Sequence, residues 1–165
     1  MCPNCPYITV CPNGPLVTVC PKAADIALVV DQSASIAQPP GGYNNWYVSI
    51  LNFLGNITIG FPVGPQLTQF GLLKFSDVAT VQWYLNTYKD NTGLLAAVKS
   101  LQIGGGETNL ADALRVARTQ ILFNSPGSRV GVKKIIILLT DGAANRDVQA
   151  GRCLSSAKPV GGSCF

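Results

Sequence analysis

Histidine is missing from the chain altogether. Without imidazole there is no Ser-His-Asp or Cys-His nucleophilic site, no His-rich zinc enzyme and no imidazole acid-base catalysis. Any metal must therefore be held by oxygen or sulfur. Charge is scarce too: Asp, Glu, Lys and Arg make up 12% of residues, against ~25% in ordinary soluble domains. With 47% hydrophobic residues, much of the chain should be interior, which favours a covered sheet. The formal charge of +4 is spread without a basic cluster, so nucleic acid is not an expected partner. Long apolar runs are lacking as well. The longest, residues 135–139, falls far short of the ~20 residues that span a bilayer, so no membrane insertion is expected. The first residues carry neither a basic nor an apolar signal region, so an export signal is expected to lie outside this sequence or to be absent.

What is present fits one domain with a short appendage, since 165 residues can bury a sizeable core. Residues 1–22 stand apart as a leader, with Cys2, Cys5, Cys11 and Cys20 set among five prolines. Two readings fit them. Zinc would use the Cys-x-x-Cys start, but Cys11 and Cys20 lack the short spacing of a zinc knuckle, and six cysteines in all favour disulfides in an extracellular setting.

The stretch Asp25-Ile-Ala-Leu-Val-Val-Asp31-Gln-Ser33-Ala-Ser35 organises the remainder. Its consecutive apolar residues predict a strand buried on both faces, as in parallel sheets. It ends in oxygen: Asp31, Ser33 and Ser35 alternate along an extended turn and offer a carboxylate and two hydroxyls to a hard cation. Capping of the next helix is the plainer use of the same residues. A helix is expected over 43–57 with Tyr47, Ile50, Leu51, Leu54 and Ile57 inward, then strands over 66–75 and 78–85 whose short connection allows only antiparallel pairing. Trp83 and Tyr84 are read as packing rather than as a binding face. Asp90 starts a helix with Leu94, Leu95, Val98 and Leu101, and a second helix carries Leu110, Leu114, Ala117 and Ile121. Gly104, Gly105 and Gly106 lack the Lys-Ser/Thr ending of a phosphate cradle and read as a tight turn before Thr108. Residues 132–140 predict a second strand buried on both faces, ending at Asp141. Asn56-Ile57-Thr58 is an N-glycosylation acceptor pattern that arises often by chance.

The order strand, helix, hairpin, two helices, strand predicts an α/β, Rossmann-like, mostly parallel sheet flanked by helices with one antiparallel edge strand. Right-handed crossovers then bring Asp31, Ser33, Ser35, Thr108 and Asp141 to one sheet edge. These five residues, in Asp-x-Ser-x-Ser, Gly-Gly-Glu-Thr-Asn-Leu and Leu-Leu-Thr-Asp-Gly, resemble the metal-ion-dependent adhesion site of von Willebrand factor type A (vWA) domains. The resemblance covers about residues 25–145 and makes 23–165 the vWA domain. It implies a Mg2+ site, with Mn2+ also suitable and Ca2+ less so, held by the three hydroxyls and by one or both aspartates directly or through water. An Asp or Glu of a protein ligand, from the matrix or a cell surface, would complete the octahedron. Glu107 adds negative potential at the rim, although a plain solvated side chain is the simpler reading of it. The family usually continues past this point with two more strands and a helix, so the C-terminal part reads as short: 147–157 as the start of a helix, 162–165 as the opening of a strand cut off.

A cation-dependent, extracellular adhesion or matrix module that is not an enzyme is therefore the leading expectation. A phosphoryl-accepting Asp31 would need a second aspartate two residues on, where Ser33 stands. An intracellular vWA module serving assembly or chaperone functions is the alternative. Non-reducing mass spectrometry separates the two: disulfide-linked leader cysteines are expected, and six free thiols or bound zinc would favour the intracellular reading.

Overall fold

The computed structural model describes residues 23–37 and 45–142. Strand β1 (Ala24–Asp31) lies inside the sheet, with β2 (Thr68–Phe75) parallel on one side and β4 (Lys133–Leu139) parallel on the other. Strand β3 (Ala79–Trp83) pairs antiparallel with β2, giving the order β3-β2-β1-β4. The α/β class and the antiparallel edge strand are as the sequence predicts. Every residue of β1 is buried. Because side chains alternate across a strand, Ile26, Leu28 and Val30 join one core with Trp46, Leu54, Leu94 and Val98. Ala27 and Val29 join another with Leu73, Phe75, Ala117 and Ile121.

The first core is covered by α1 (Leu51–Ile59), which follows a π-helical turn (Asn45–Ile50), and by α2 (Asn91–Lys99). Asp90 caps α2, its side chain accepting the Gly93 N–H at 2.8 Å. The second core is covered by α3 (Leu110–Val116), which runs on into a π-helical turn (Ala117–Leu122). Here the expected stripe is corrected: Leu114 is 39% exposed, while Ala113 and Val116 are buried beside Ala117 and Ile121. Small residues win these places because the helix lies close to the sheet. Gly71, paired with Ala27 in the ladder, has no room for a Cβ against the Ile121 side chain.

Strand β4 is the second correction. Read as buried on both faces, or as a sheet edge should the family's last strands be missing, it is an edge among the described residues, with Ile136 38% and Leu138 37% exposed. Ile135, Ile137 and Leu139 pack partly against the first core. An apolar β-branched run looks the same in a central and an edge strand, and only pairing distinguishes them. Trp83 is buried and meets Tyr88 edge-to-face at 5.4 Å, so it packs as expected, while Tyr84 is 37% exposed. The leader, the expected helix start at Tyr43 and the elements expected beyond Asp141 lie outside the described residues, as does the side chain of Tyr47.

At the end of the sheet where β1 begins, Asp25 is fully buried yet held by two cations. Arg129 reaches it through Nε at 2.8 Å, Nη2 at 2.5 Å and its backbone N–H at 3.0 Å, and Lys134 Nζ donates at 2.6 Å. Arg129 also donates to the carbonyls of Ala24, Pro65 and Leu67, so the loop before β4 is bolted to the sheet. Burial pushes the Asp25 carboxyl up, but the hydrogen bonds from Lys134 and Arg129 outweigh it and hold the group below its ordinary value. A depressed carboxyl stabilises the fold above its unfolded value of 3.8 and loses that contribution as pH falls through the folded value. Asp25→Ala should therefore cost about 3 kcal/mol at pH 7, by stranding two cations, and much less near pH 2. Urea unfolding at both pH values checks this, and a variant as stable as wild type at pH 7 would contradict it.

Candidate metal centre

The pairing register assembles the opposite end of β1. Asp31 faces Phe75 of β2, and Val30 faces Leu139 of β4, so Thr140, the residue after β4, arrives beside Asp31. Asp31 is fully buried. Its Oδ1 accepts the Ser33 N–H at 2.8 Å, which folds the chain back after the strand, and its Oδ2 accepts the Thr140 hydroxyl at 2.7 Å. The Ser33 and Ser35 hydroxyls lie 3.0 Å apart, and Ser35 Oγ donates to Asp141 Oδ1 at 3.0 Å. With Ser35 donating to Asp141, the Ser33 hydroxyl is the donor to Ser35. Four of the five expected residues are thus linked, and they grade from the buried Asp31 and Ser33 to the exposed Ser35 and Asp141.

Thr108, 4% exposed, is brought to the same edge by its backbone neighbours. The Gly106 carbonyl accepts the Ala34 N–H at 3.0 Å, tying its loop to the turn after β1. On the other side, Asn109 donates its N–H to the Ser76 carbonyl at 2.9 Å and its Nδ2 to the Asp77 carbonyl at 3.1 Å. Asn109 also caps α3, accepting the Asp112 N–H at 3.1 Å. Asp112 in turn accepts the Ala79 N–H at 2.9 Å. Burial pushes the Asp112 carboxyl up, but the hydrogen bonds from Ala79 and Arg115 hold it below the ordinary value. The Thr108 loop is therefore fastened to the turns that follow both β1 and β2. Glu107 is exposed at the rim.

Electrostatically the two ends of β1 differ. Asp25 has two cations, whereas among the described residues no Lys or Arg pairs with Asp31 or Asp141. A buried carboxylate without a counter-charge is costly even when hydrogen-bonded. The donor set suits a hard divalent ion: two carboxylates and three hydroxyls, all oxygen. Among the described residues no group of three or more His, Cys, Asp or Glu could hold a metal, so an ion at this edge would depend on the hydroxyls.

Over residues 25–157 the sequence matches the von Willebrand factor type A domain. The chain belongs to that family. This vWA chain is 35% identical over 127 residues to the collagen alpha-1(XII) chain of Notophthalmus viridescens, spanning 77% of its own length and 13% of the collagen. It is 31% identical over 122 residues to integrin alpha-1 of Gallus gallus, spanning 73% and 40% of the two chains. Among solved structures, proximal thread matrix protein 1 from the mussel byssus, described with a zinc-occupied MIDAS motif, superposes with a TM-score of 0.68 at 35% identity. That match covers 78% of this chain and 31% of the byssus protein. The manganese-loaded TRAP protein of Plasmodium vivax, 23% identical with a TM-score of 0.62, shares the fold; the match covers 78% of this chain and 50% of that one. The chain thus spans well under two thirds of the length of these relatives.

Two residues escaped the sequence reading. Thr140 became visible only through the register, since nothing local says that it stands beside Asp31. Gly106 was read as one of three turn glycines, yet its φ of +112° and the absence of room for a Cβ against the Asp77 carboxylate make glycine a requirement there. Gly105 has open space around it. Gly106→Ala should therefore cost about 1–3 kcal/mol and speed hydrogen exchange at the Ala34 amide, while Gly105→Ala leaves both close to wild type. Equal behaviour of the two variants would contradict this role.

Proposed function

We propose that this chain is a divalent-cation-dependent protein-binding module of the adhesion or extracellular-matrix kind, in which Asp31, Ser33, Ser35, Thr108 and Asp141 hold Mg2+. The observation that carries this reading is Asp31, buried and, among the described residues, without a counter-charge amid side-chain oxygens of Ser33, Ser35, Thr140 and Asp141. Asp31 and Asp141 together would roughly cancel the charge of a divalent ion, the neutral hydroxyls of Ser33, Ser35 and Thr108 would add contacts without saturating it, and Thr140 orients the Asp31 carboxylate from behind. When bound, the ion supplies an electrophilic position for an Asp or Glu carboxylate of a protein ligand. An open groove of about 610 Å3 lined by Ile36, Ile50, Phe53, Leu138 and Leu139 ends at Thr140 and Asp141. A partner would thus set its carboxylate on the ion and apolar side chains in the groove. The all-oxygen donors with only two carboxylates favour Mg2+, with Mn2+ able to substitute and Ca2+ less suited. The zinc reported in the byssus protein makes zinc the competitor to exclude. Binding rather than catalysis is the reading favoured by relatives named as a collagen and an integrin.

A secreted setting is consistent with relatives named as a collagen and a byssus matrix protein. No helix among the described residues is long and apolar enough to cross a membrane.

Isothermal titration of the chelator-treated full chain with MgCl2 tests the proposal, with ZnCl2 as a parallel arm. Wild type should bind one ion. Asp31→Ala should abolish binding while keeping the far-UV circular dichroism, and Thr140→Val should weaken it about 10–100-fold. An absence of Mg2+ binding by wild type, or binding indifferent to Asp31→Ala, would reject the site.

A further inference from the structure

The chain contains a single Asn-x-Ser/Thr sequon, Asn56-Ile57-Thr58, and the cation site makes no use of it. We propose that Asn56 carries an N-linked glycan, attached to the nascent chain before α1 packs. Helix α1 buries Leu51, Leu54, Gly55 and Thr58, which leaves Asn56 on its exposed side. Among the described residues no hydrogen-bond partner engages the Asn56 side-chain amide, whereas Asn91 and Asn109 use theirs within the fold. The flanking residues on that side, Phe53 three positions before and Ile59 three after, are 49% and 60% exposed. Residues three apart are neighbours on a helix surface, so a sugar chain on Asn56 would emerge between two large apolar side chains that otherwise face water. Val48 on the preceding turn, 59% exposed, and Phe61 beyond the helix, 42% exposed, extend the apolar surface at both ends.

The two ends of the sequon face opposite ways. Thr58 is fully buried, its hydroxyl donates to the Gly55 carbonyl at 2.9 Å, and its own carbonyl accepts Asn91 Nδ2 at 2.7 Å. Transfer requires the hydroxyl two residues after the acceptor asparagine, and the folded helix hides it. Sugar transfer therefore precedes helix packing. In the step itself, Asn56 Nδ2 loses a hydrogen and bonds to the anomeric carbon of the first sugar. The bond between that carbon and the diphosphate of a lipid-linked oligosaccharide breaks, and the proton leaves with the diphosphate. Once α1 has packed, the acceptor side faces solvent, so the glycan does not oppose the fold.

The test is translation of the full chain behind a secretion signal with animal microsomes, followed by peptide-N-glycosidase and peptide mass spectrometry. The expected result is a mobility shift on enzyme treatment with conversion of Asn56 to aspartate, lost in Asn56→Gln and retained in Thr58→Ser. Because Asn56 is exposed, Asn56→Gln should keep the wild-type circular dichroism. Chain refolded beforehand and then offered to the same microsomes should stay unmodified. An Asn56 peptide recovered wholly unmodified from the translocated chain would overturn the site, and equal modification of the refolded chain would overturn the timing.

Discussion

Strand β1 carries an aspartate near each end, and both are fully buried. Asp25 is neutralised from within by Arg129 and Lys134. Among the described residues Asp31 has the Ser33 amide and the Thr140 hydroxyl, neither of which brings a positive charge. In the proposed reading a divalent cation supplies the missing charge, and the neighbouring oxygens of Ser33, Ser35 and Asp141 are the groups that would share it. One end of the strand is thus a closed structural bolt and the other an open valence. The oxygens of Ser33, Ser35 and Asp141 and the apolar groove that ends at Thr140 and Asp141 lie beside that second carboxylate.

The fold's task is to bring three distant segments to that point. Parallel pairing of β1 with both β2 and β4 aligns their carboxyl ends on one edge, which is where open α/β sheets present ligand sites. The remaining segment arrives on α3, whose close approach depends on small residues. Ala113 and Ala117 face the sheet, Gly71 leaves room for Ile121, and Gly106 takes a backbone conformation that ordinary residues avoid. The Ala34 to Gly106 hydrogen bond then joins the Thr108 loop to the Asp31 turn. Rigidity at the site is shared between packing well below it and a few backbone bonds beside it.

Much of this was legible before any coordinates. The apolar run ending in Asp-x-Ser-x-Ser placed Asp31 at a strand end, and the short link between β2 and β3 required antiparallel pairing. The strand order brought Ser33, Ser35 and Asp141 to one sheet edge, and the resemblance to the vWA adhesion site made them one group. What escaped was information that only pairing and packing create. Thr140 matters because Leu139 faces Val30, a register invisible within the local sequence. Leu114 outranks Ala113 on hydrophobicity, yet the closeness of α3 to the sheet reverses their places. Burial of strand β4 on both faces was expected because apolar runs do not encode how many neighbours they have. The glycines at 104–106 look alike in sequence, but only the φ of Gly106 and the nearby Asp77 carboxylate single it out.

The most direct test of the uncompensated charge is equilibrium unfolding of wild type and Asp31→Asn, each with chelator and with Mg2+. In chelator the asparagine variant should be the more stable, because a buried unpaired charge has been removed while the shape is kept. At Mg2+ one hundred times its dissociation constant, wild type should gain about 2.7 kcal/mol and the variant nothing. A wild type that is the more stable in chelator and does not respond to Mg2+ would contradict the central claim.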